Sequence, residues 1–314
     1  MTNSLIIPIY KNERSIGNLL SVLRDLSEQL GNALEVVFVI DGSPDDCYQI
    51  LQASLPDMPF DSQLLQHSRN YGAFSAIKAG LLAASGERFA VMAADLQEPP
   101  ELVLEMFQIL QEGEYDIVVG NRESRDDPLA ARISSAVFWW MYRKLVIPDV
   151  PPGGVDMFGC TRPFKTELLK LDERNSSLIG LIYWLGFNRK TIGYARKRRQ
   201  QGESAWTLSK KINYLMDSVF AFTDLPIKLL MGIGIAGILI SLVLVAVILV
   251  AKMVGAIPVP GYAATVTTIL FFAAFNSLGL GIIGSYVWRT YGNTQNRPDG
   301  VVKSVEKFTA STER

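Results

Sequence analysis

The sequence predicts an α/β domain built on a mostly parallel sheet, followed by an interfacial amphipathic helix and two transmembrane helices. Strand-like and helix-like stretches alternate over residues 1–120, and each strand-like run ends in a polar cluster. Beyond the domain, no charged residue lies between Lys228 and Lys252, and none between Lys252 and Arg289.

The elements follow in order. "SLIIPIY" is a short apolar run ended by Pro8, and it begins so near the N-terminus that no signal peptide is expected. Ile16, Leu19, Leu20, Leu23, Leu26 and Leu30 recur at helical spacing. "LEVVFVI" is a β-branched strand closed by "DGSPDD", a turn and helix start. "QLLQHSRN" leads into an Ala-rich helix from Gly72 to Ala84. "RFAVMAAD" is another strand, and Pro99–Gln111 a helix with proline in its first turn. "YDIVVGNR" is the next strand.

The 314 residues suffice for one full-sized domain plus additions. A net charge of −1 supplies no global basic field, which argues against nucleic acid as partner. Cys47 and Cys160 have no metal spacing and read as reduced thiols or core filler. His67 is the single histidine, which argues against a His-based zinc site or a Ser-His-Asp triad.

A bilayer core of ~30 Å needs about 20 helical residues. Leu229–Ala251 and Tyr262–Trp288 each satisfy that, with Gly255, Pro258, Pro260 and Gly261 in the turn between them. Buried helices of a soluble protein are the alternative. Lys and Arg crowd the chain before the first stretch, and Arg289 and Arg297 follow the second. The positive-inside rule then puts the N-terminal domain and both termini in the cytoplasm, in a multi-pass protein of the inner (plasma) membrane. Leu208, Ile212, Leu215, Val219 and Phe222 share one helical face, which predicts an interfacial helix that Pro226 ends; a plain domain helix is the other reading. The expected division is 1–206 catalytic domain, 207–227 interface helix, 228–289 transmembrane hairpin and 290–314 a loosely ordered cytoplasmic tail. "GIGIAG" at Gly232–Gly237 matches a dinucleotide-loop pattern but lies inside an apolar span. These glycines suit close helix packing, within one chain or between chains of a homo-oligomer.

Pro8–Glu13, Asp41–Ser43, Asp95–Gln97 and Asn121–Arg122 each follow a strand. In an open parallel sheet, ligands bind outside the carboxyl ends of the strands, so these segments converge on one edge. Asp95 and Gln97, read as an extended segment, face one side and suit Mg²⁺ or Mn²⁺, with diphosphate and water completing the shell. Ala93 faces the same side and offers no ligand. The stretch could instead only cap the helix that begins near Pro99. Asp41 can accept from a nucleobase N–H in a pocket lined by Pro8, Tyr10 and Glu13, or serve as a turn residue. Arg122, Arg125, Arg132 and Ser135 form one phosphate-binding candidate. Arg196, Arg198, Arg199, Ser204, Trp206 and Lys210 form a second, which could instead hold anionic lipid headgroups.

"IIPIYKNE", "IDGSPDD", "RNYGAFSAIKAGL", "ADLQEPPELV", "GNRESRDD", "GGVDMF" and "RRQQGESAWTLSKK" occur in this order. The set resembles family-2 glycosyltransferases of the dolichol-phosphate-mannose-synthase-like branch, and within it bacterial polyprenyl-phosphate glucosyltransferases of the GtrB kind. The resemblance implies a GT-A (Rossmann-like) domain that moves a hexose, glucose from UDP-glucose, to polyprenyl phosphate at the lipid bilayer, with inversion. It implies that Asp41 and Arg69 meet the donor nucleotide, and that Asp95 and Gln97 hold the metal. Arg122, Arg132 and Ser135 would hold the acceptor phosphate, and Asp156 of "GGVDMF" would stand by the reacting centre. Arg196, Arg199, Ser204, Trp206 and Lys210 would come from a segment that closes over the donor. This chain departs from the family pattern at Ala93 and Ile40, where an Asp is usual. Those departures leave a second reading, a sugar-nucleotide-binding membrane protein without turnover.

Overall fold

The computed structural model describes residues 2–125, 129–171, 173, 176–196, 208–254, 261–295 and 297–310. The chain runs β1 (Asn3–Ile9), α1 (Ile16–Gln29), β2 (Leu34–Ile40), α2 (Cys47–Ser54), β3 (Asp61–His67), α3 (Ala73–Ala83), β4 (Arg88–Val91) and α4 (Glu101–Glu112). It continues through β5 (Ile117–Arg125), α5 (Leu129–Leu145), β6 (Val155–Thr161), α6 (Arg162–Lys170), α7 (Leu178–Trp184) and β7 (Arg189–Arg196). The last elements are α8 (Leu208–Phe222), α9 (Leu225–Met253), α10 (Tyr262–Thr294) and β8 (Val302–Phe308).

The strands form one eight-stranded sheet in the order β7-β5-β6-β4-β1-β2-β3-β8. All run parallel except β6 and β8, which pair antiparallel with their neighbours. The central strands are covered on both faces, which is why β2 is buried throughout, and apolar apart from Glu35, rather than alternating. Leu5, Ile7 and Ile9 of β1 point to the face carrying α1, α2 and α4, while Ile6 points to the face carrying α3, α5, α6 and α7. α8 closes over the second face: the Tyr142 and Tyr214 rings stack with centroids 6.0 Å apart. At the N-terminal edge, buried Glu35 accepts from Ser4 Oγ (2.5 Å), Gln63 Nε2 (2.8 Å) and the Ser85 backbone N–H (2.8 Å).

Two expectations about the C-terminal part are corrected. The tail is not loosely ordered, because β8 adds an antiparallel strand to the free edge of β3. An unpaired edge strand leaves its backbone groups open, and the returning chain fills them. Pro226 does not end α8, which stops at Phe222; it sits in the first turn of α9, where its missing N–H breaks no helical bond. Among the described residues, Phe271–Thr294 is long and apolar enough to cross a membrane. Ile212–Phe222 and Leu225–Gly237 pass the same test only as a pair bent by 77°. One or two C-terminal apolar helices of this kind suggest membrane association.

Candidate active site

The antiparallel run of β6 brings its N-terminal end to the edge where β1, β2, β4, β5 and β7 end. The chain winds from β1 through β2 to β3 on one side, then returns to place β4 on the other side of β1. That reversal is the position where an open α/β sheet leaves a crevice. Pro8 helps to open it. Ile6 O accepts from Met92 N on the β4 side (3.1 Å), and Ile9 O from Asp41 N on the β2 side (2.9 Å). Strand alternation puts the backbone of Pro8 on the β4 side, where it has no N–H to give. Pairing of β1 with β4 stops at Ile6–Val91, while pairing with β2 continues through Ile9–Ile40. Pro8 and Tyr10 border the resulting gap from one side and the segment after β4 from the other.

On the β2 side, Asp41 is only 3% exposed and its oxygens are already engaged. Oδ1 accepts from His67 Nδ1 (2.8 Å) and Tyr71 N (2.9 Å), and Oδ2 from Gly72 N (2.7 Å). Burial pushes this carboxyl up, but the bonds from His67, Tyr71 and Gly72 outweigh it and hold it below the usual range. The side chain therefore organises the loop after β3, rather than standing open as a base acceptor. Gly42 has φ +58°, and a Cβ there would lie 2.2 Å from the Arg69 carbonyl carbon, so only glycine lets that loop cross. Arg69 stacks on the Tyr71 ring at 4.2 Å. Glu13, expected to line the pocket, ties loops together: its N–H meets Asp45 Oδ2 (3.2 Å) and its carboxylate the Asp46 N–H (3.5 Å). His67 is buried beside Asp41, a structural partner rather than an exposed base.

The reading of Asp95–Gln97 as extended is also corrected. β4 ends at Val91, and Leu96 takes a left-handed conformation with φ +54°. Asp95 Oδ1 accepts from the Gln97 N–H at 3.3 Å, which closes an Asx-type turn. Both side chains are half-buried on this turn, beside the β1/β4 gap.

The third part comes from β5, β6 and β7. Arg122 Nε lies 2.6 Å from Asp156 Oδ2. Its N–H does not point at that oxygen, so the contact is an ion pair and not a linear hydrogen bond. Tyr194 Oη donates to the same Oδ2 at 2.9 Å. Burial pushes the Tyr194 phenol far up, and the carboxylates of Asp156 and Glu98 add to it. Glu98 belongs to the segment after β4, so the turn at Asp95 and the Arg122–Asp156 pair lie at the same end of the sheet. The "GG" before Asp156 has a steric reason: Gly154, at φ +78°, lies against the Trp139 indole, where a Cβ would come within 2.1 Å. Asn121 Oδ1 accepts from Gly153 N at 3.2 Å and fixes the approach to β6.

Ser135 is half-buried on α5. Arg132 lies on α5, Arg196 at the end of β7 and Lys210 in the first turn of α8, each placed by its backbone. Arg199, Ser204 and Trp206 fall outside the described residues. Asn121 was expected at this edge with Arg122, whereas Tyr194 and Trp139 were not singled out from the sequence.

A model described as "Glycosyl transferase family 2" matches residues 4–171. The Bacillus subtilis (strain 168) proteins CsbB and YkcC are 33% and 32% identical over 300 and 305 residues; each match covers 96% of this chain, and 91% and 93% of theirs. The prophage bactoprenol glucosyl transferase homolog of Escherichia coli (strain K12) is 27% identical over 308 residues, covering 98% of this chain and 100% of that protein. Among solved structures, glucosyl-3-phosphoglycerate synthase from Mycobacterium tuberculosis superposes with a TM-score of 0.47 at 17% identity, over 69% of this chain and 80% of that one. The sheet, its polar C-terminal edge and a family match over more than half of the chain agree: the protein belongs to glycosyl transferase family 2.

Proposed function

We propose that the protein is a membrane glycosyltransferase that moves a hexose, glucose from UDP-glucose, onto polyprenyl phosphate with inversion. One observation carries this reading. The Asp95–Gln97 turn and the Arg122–Asp156 pair share a sheet edge, in a chain whose near-full-length relatives include proteins named bactoprenol glucosyl transferases.

A phosphate monoester is already anionic near neutral pH, so the acceptor needs little general-base help. Arg122, with Arg132 and Ser135 from α5, holds that phosphate. Asp156 beside it orients the acceptor. An acceptor oxygen attacks the anomeric carbon from the face opposite the leaving group; that C–O bond forms, the bond to the diphosphate breaks, and its electron pair leaves with UDP. Asp95 and Gln97 offer hard oxygen donors, which fit Mg²⁺ or Mn²⁺. No group of three His, Cys, Asp or Glu gathers for a metal among the described residues, so diphosphate and water would complete the shell. When bound, the ion offsets charge on the departing diphosphate. Pro8, Tyr10 and the loop held by Asp41 border the donor side, and the segment holding Arg196, Arg199, Ser204, Trp206 and Lys210 closes over it. α9 and α10 form a two-span hairpin in the plasma membrane, α8 lies in the interface, and the catalytic domain is cytoplasmic.

The test is incubation of the purified protein with labelled nucleotide sugars, polyprenyl phosphate and Mg²⁺ or Mn²⁺, followed by analysis of the lipid. A glucosyl lipid is expected. Another sugar on the lipid would keep the reaction and change the donor. UDP-sugar binding with no lipid product would favour the non-catalytic reading that Ala93 and Ile40 suggest.

A further inference from the structure

Asp156 Oδ2 is held from two sides, by Arg122 Nε at 2.6 Å and by Tyr194 Oη at 2.9 Å. Oδ1 has no donor among the described residues. One oxygen is thus clamped from two sides, and the side chain as a whole stays 22% exposed. The two clamping groups come from neighbouring strands, because Arg122 of β5 pairs with Tyr194 of β7.

The tyrosine is built into this position. Its ring is 5% exposed and belongs to the core that includes Leu102 and Met106 of α4. It passes over Gly120 of β5: a Cβ on that residue would lie 3.3 Å from the ring's Cε1, 3.4 Å from Leu102 Cδ2 and 3.5 Å from Met106 Cε. The ring therefore has little freedom, and its hydroxyl, the one polar atom, is delivered to a carboxylate. A phenylalanine would fill the same space. Burial and the nearby carboxylates keep the phenol protonated, so it remains a donor.

We propose that Tyr194 is a positioning residue of the transfer reaction, which fixes the plane of Asp156 and, through the shared oxygen, the seat of Arg122. The proposal rests on the transferase reading above. Tyr194 is buried and bonds Asp156, so its part is to position and not to bind. It acts by keeping one Asp156 oxygen and the terminal nitrogens of Arg122 in one arrangement, so that the acceptor phosphate arrives in line. A misplacement of a fraction of an ångström at such a site is felt strongly in turnover and weakly in binding.

The experiment measures kcat and KM for lipid glucosylation in the full-length protein and in Tyr194→Phe, Gly120→Ala and the double variant. Loss of a hydrogen bond to a charged group predicts a fall in kcat of roughly 10- to 100-fold for Tyr194→Phe. The KM for the nucleotide sugar should stay within about twofold. Gly120→Ala, which nudges the ring and keeps the hydroxyl, should lower kcat by about fivefold alone, and by no more than about twofold in the Tyr194→Phe background. A ring that mattered only for packing would respond equally to the added methyl in both backgrounds, and that outcome overturns the proposal. Wild-type kcat in Tyr194→Phe also overturns it. No transfer by the wild type would sink the transferase reading and this proposal with it, whereas an active wild type matched by Tyr194→Phe would sink this proposal alone.

Discussion

Asp41 and His67 share a buried hydrogen bond of 2.8 Å between Oδ1 and Nδ1, at the base of the loop that follows β3. An ionised carboxylate only accepts, so the proton lies on Nδ1. With Tyr71 N and Gly72 N on the same side chain, one carboxylate fixes the end of β3 and the start of α3. In Asp41→Asn an amide nitrogen must face one of these three donors. The expected cost is about 1–3 kcal/mol, seen as a melting temperature lower by roughly 3–10 °C. The pH dependence has a definite sign. The folded carboxyl titrates below its unfolded value, so its stabilisation is present above about pH 4 and fades as pH falls through the folded value. The gap between wild type and Asp41→Asn should therefore narrow below about pH 4. Equal melting temperatures at neutral pH would refute this role.

The C-terminal strand should act as a clamp on the same loop. Val301 O accepts from Ser68 N (2.9 Å), Lys78 Nζ pairs with Asp299 Oδ2 (2.9 Å), and Glu306 receives Tyr48 Oη and Gln52 Nε2. Deleting residues 297–314 should leave membrane association intact, expose the β3 edge, lower the melting temperature and raise the KM for the nucleotide sugar. The milder Glu306→Ala should lower the melting temperature by about 2–4 °C, for roughly 1 kcal/mol of lost hydrogen bonding. A truncated protein as stable and as soluble as the full chain would show that β8 is dispensable.

Much of this arrangement was legible in the sequence because it is local. Apolar runs gave β1, β2, β4 and β5, and the spacing of Leu19, Leu23 and Leu26 gave α1. Convergence of the post-strand segments on one edge followed from parallel topology alone. What stayed hidden depends on long-range pairing. The donors to Asp41 come from residues 26 to 31 positions away, and nothing in "DGS" announces them. β8 reads as a polar tail because an edge strand needs only backbone groups to join a sheet. The turn at Asp95 was misread because a left-handed leucine carries no mark in the sequence. Tyr194 drew no attention, since its bond to Asp156 depends on the pairing of β5 with β7.

The two apolar helices should form a hairpin with both termini in the cytoplasm. Lys and Arg flank α9 and α10 on the domain side, and Arg289 Nη2 pairs with Asp217 Oδ1 of α8 at 2.6 Å, which ties the base of α10 to α8. A reporter fused after Arg314 should behave as cytoplasmic, and a tag near Pro258 should be reachable from outside. An exported C-terminus would overturn the topology, and with it the placement of donor and acceptor on one side of the membrane.

The metal reading makes the sharpest claim about Asp95. Position 93 holds alanine and the expected extended geometry is absent, so any ion must be held by the turn itself. Asp95 supplies the only carboxylate between Val91 and Gln97. Its Oδ1 already steadies the turn through Gln97 N, so Asp95→Asn keeps an acceptor for that bond while removing the charge. The fold should survive and the melting temperature change little. Turnover should fall by about 100-fold or more, because a charge-assisted contact to an ion at the departing diphosphate is worth several kcal/mol. Ala93→Ser, at a position that offers the ion no ligand, should do far less. Chelation should abolish wild-type activity, and Mg²⁺ or Mn²⁺ should restore it. UDP binding measured with and without the ion gives a readout apart from turnover: the ion should tighten binding to wild type and leave Asp95→Asn nearly unaffected. If Asp95→Asn kept near-full activity, or if chelated wild type still turned over, the ion would have no part in the reaction and Asp95 would serve only the turn.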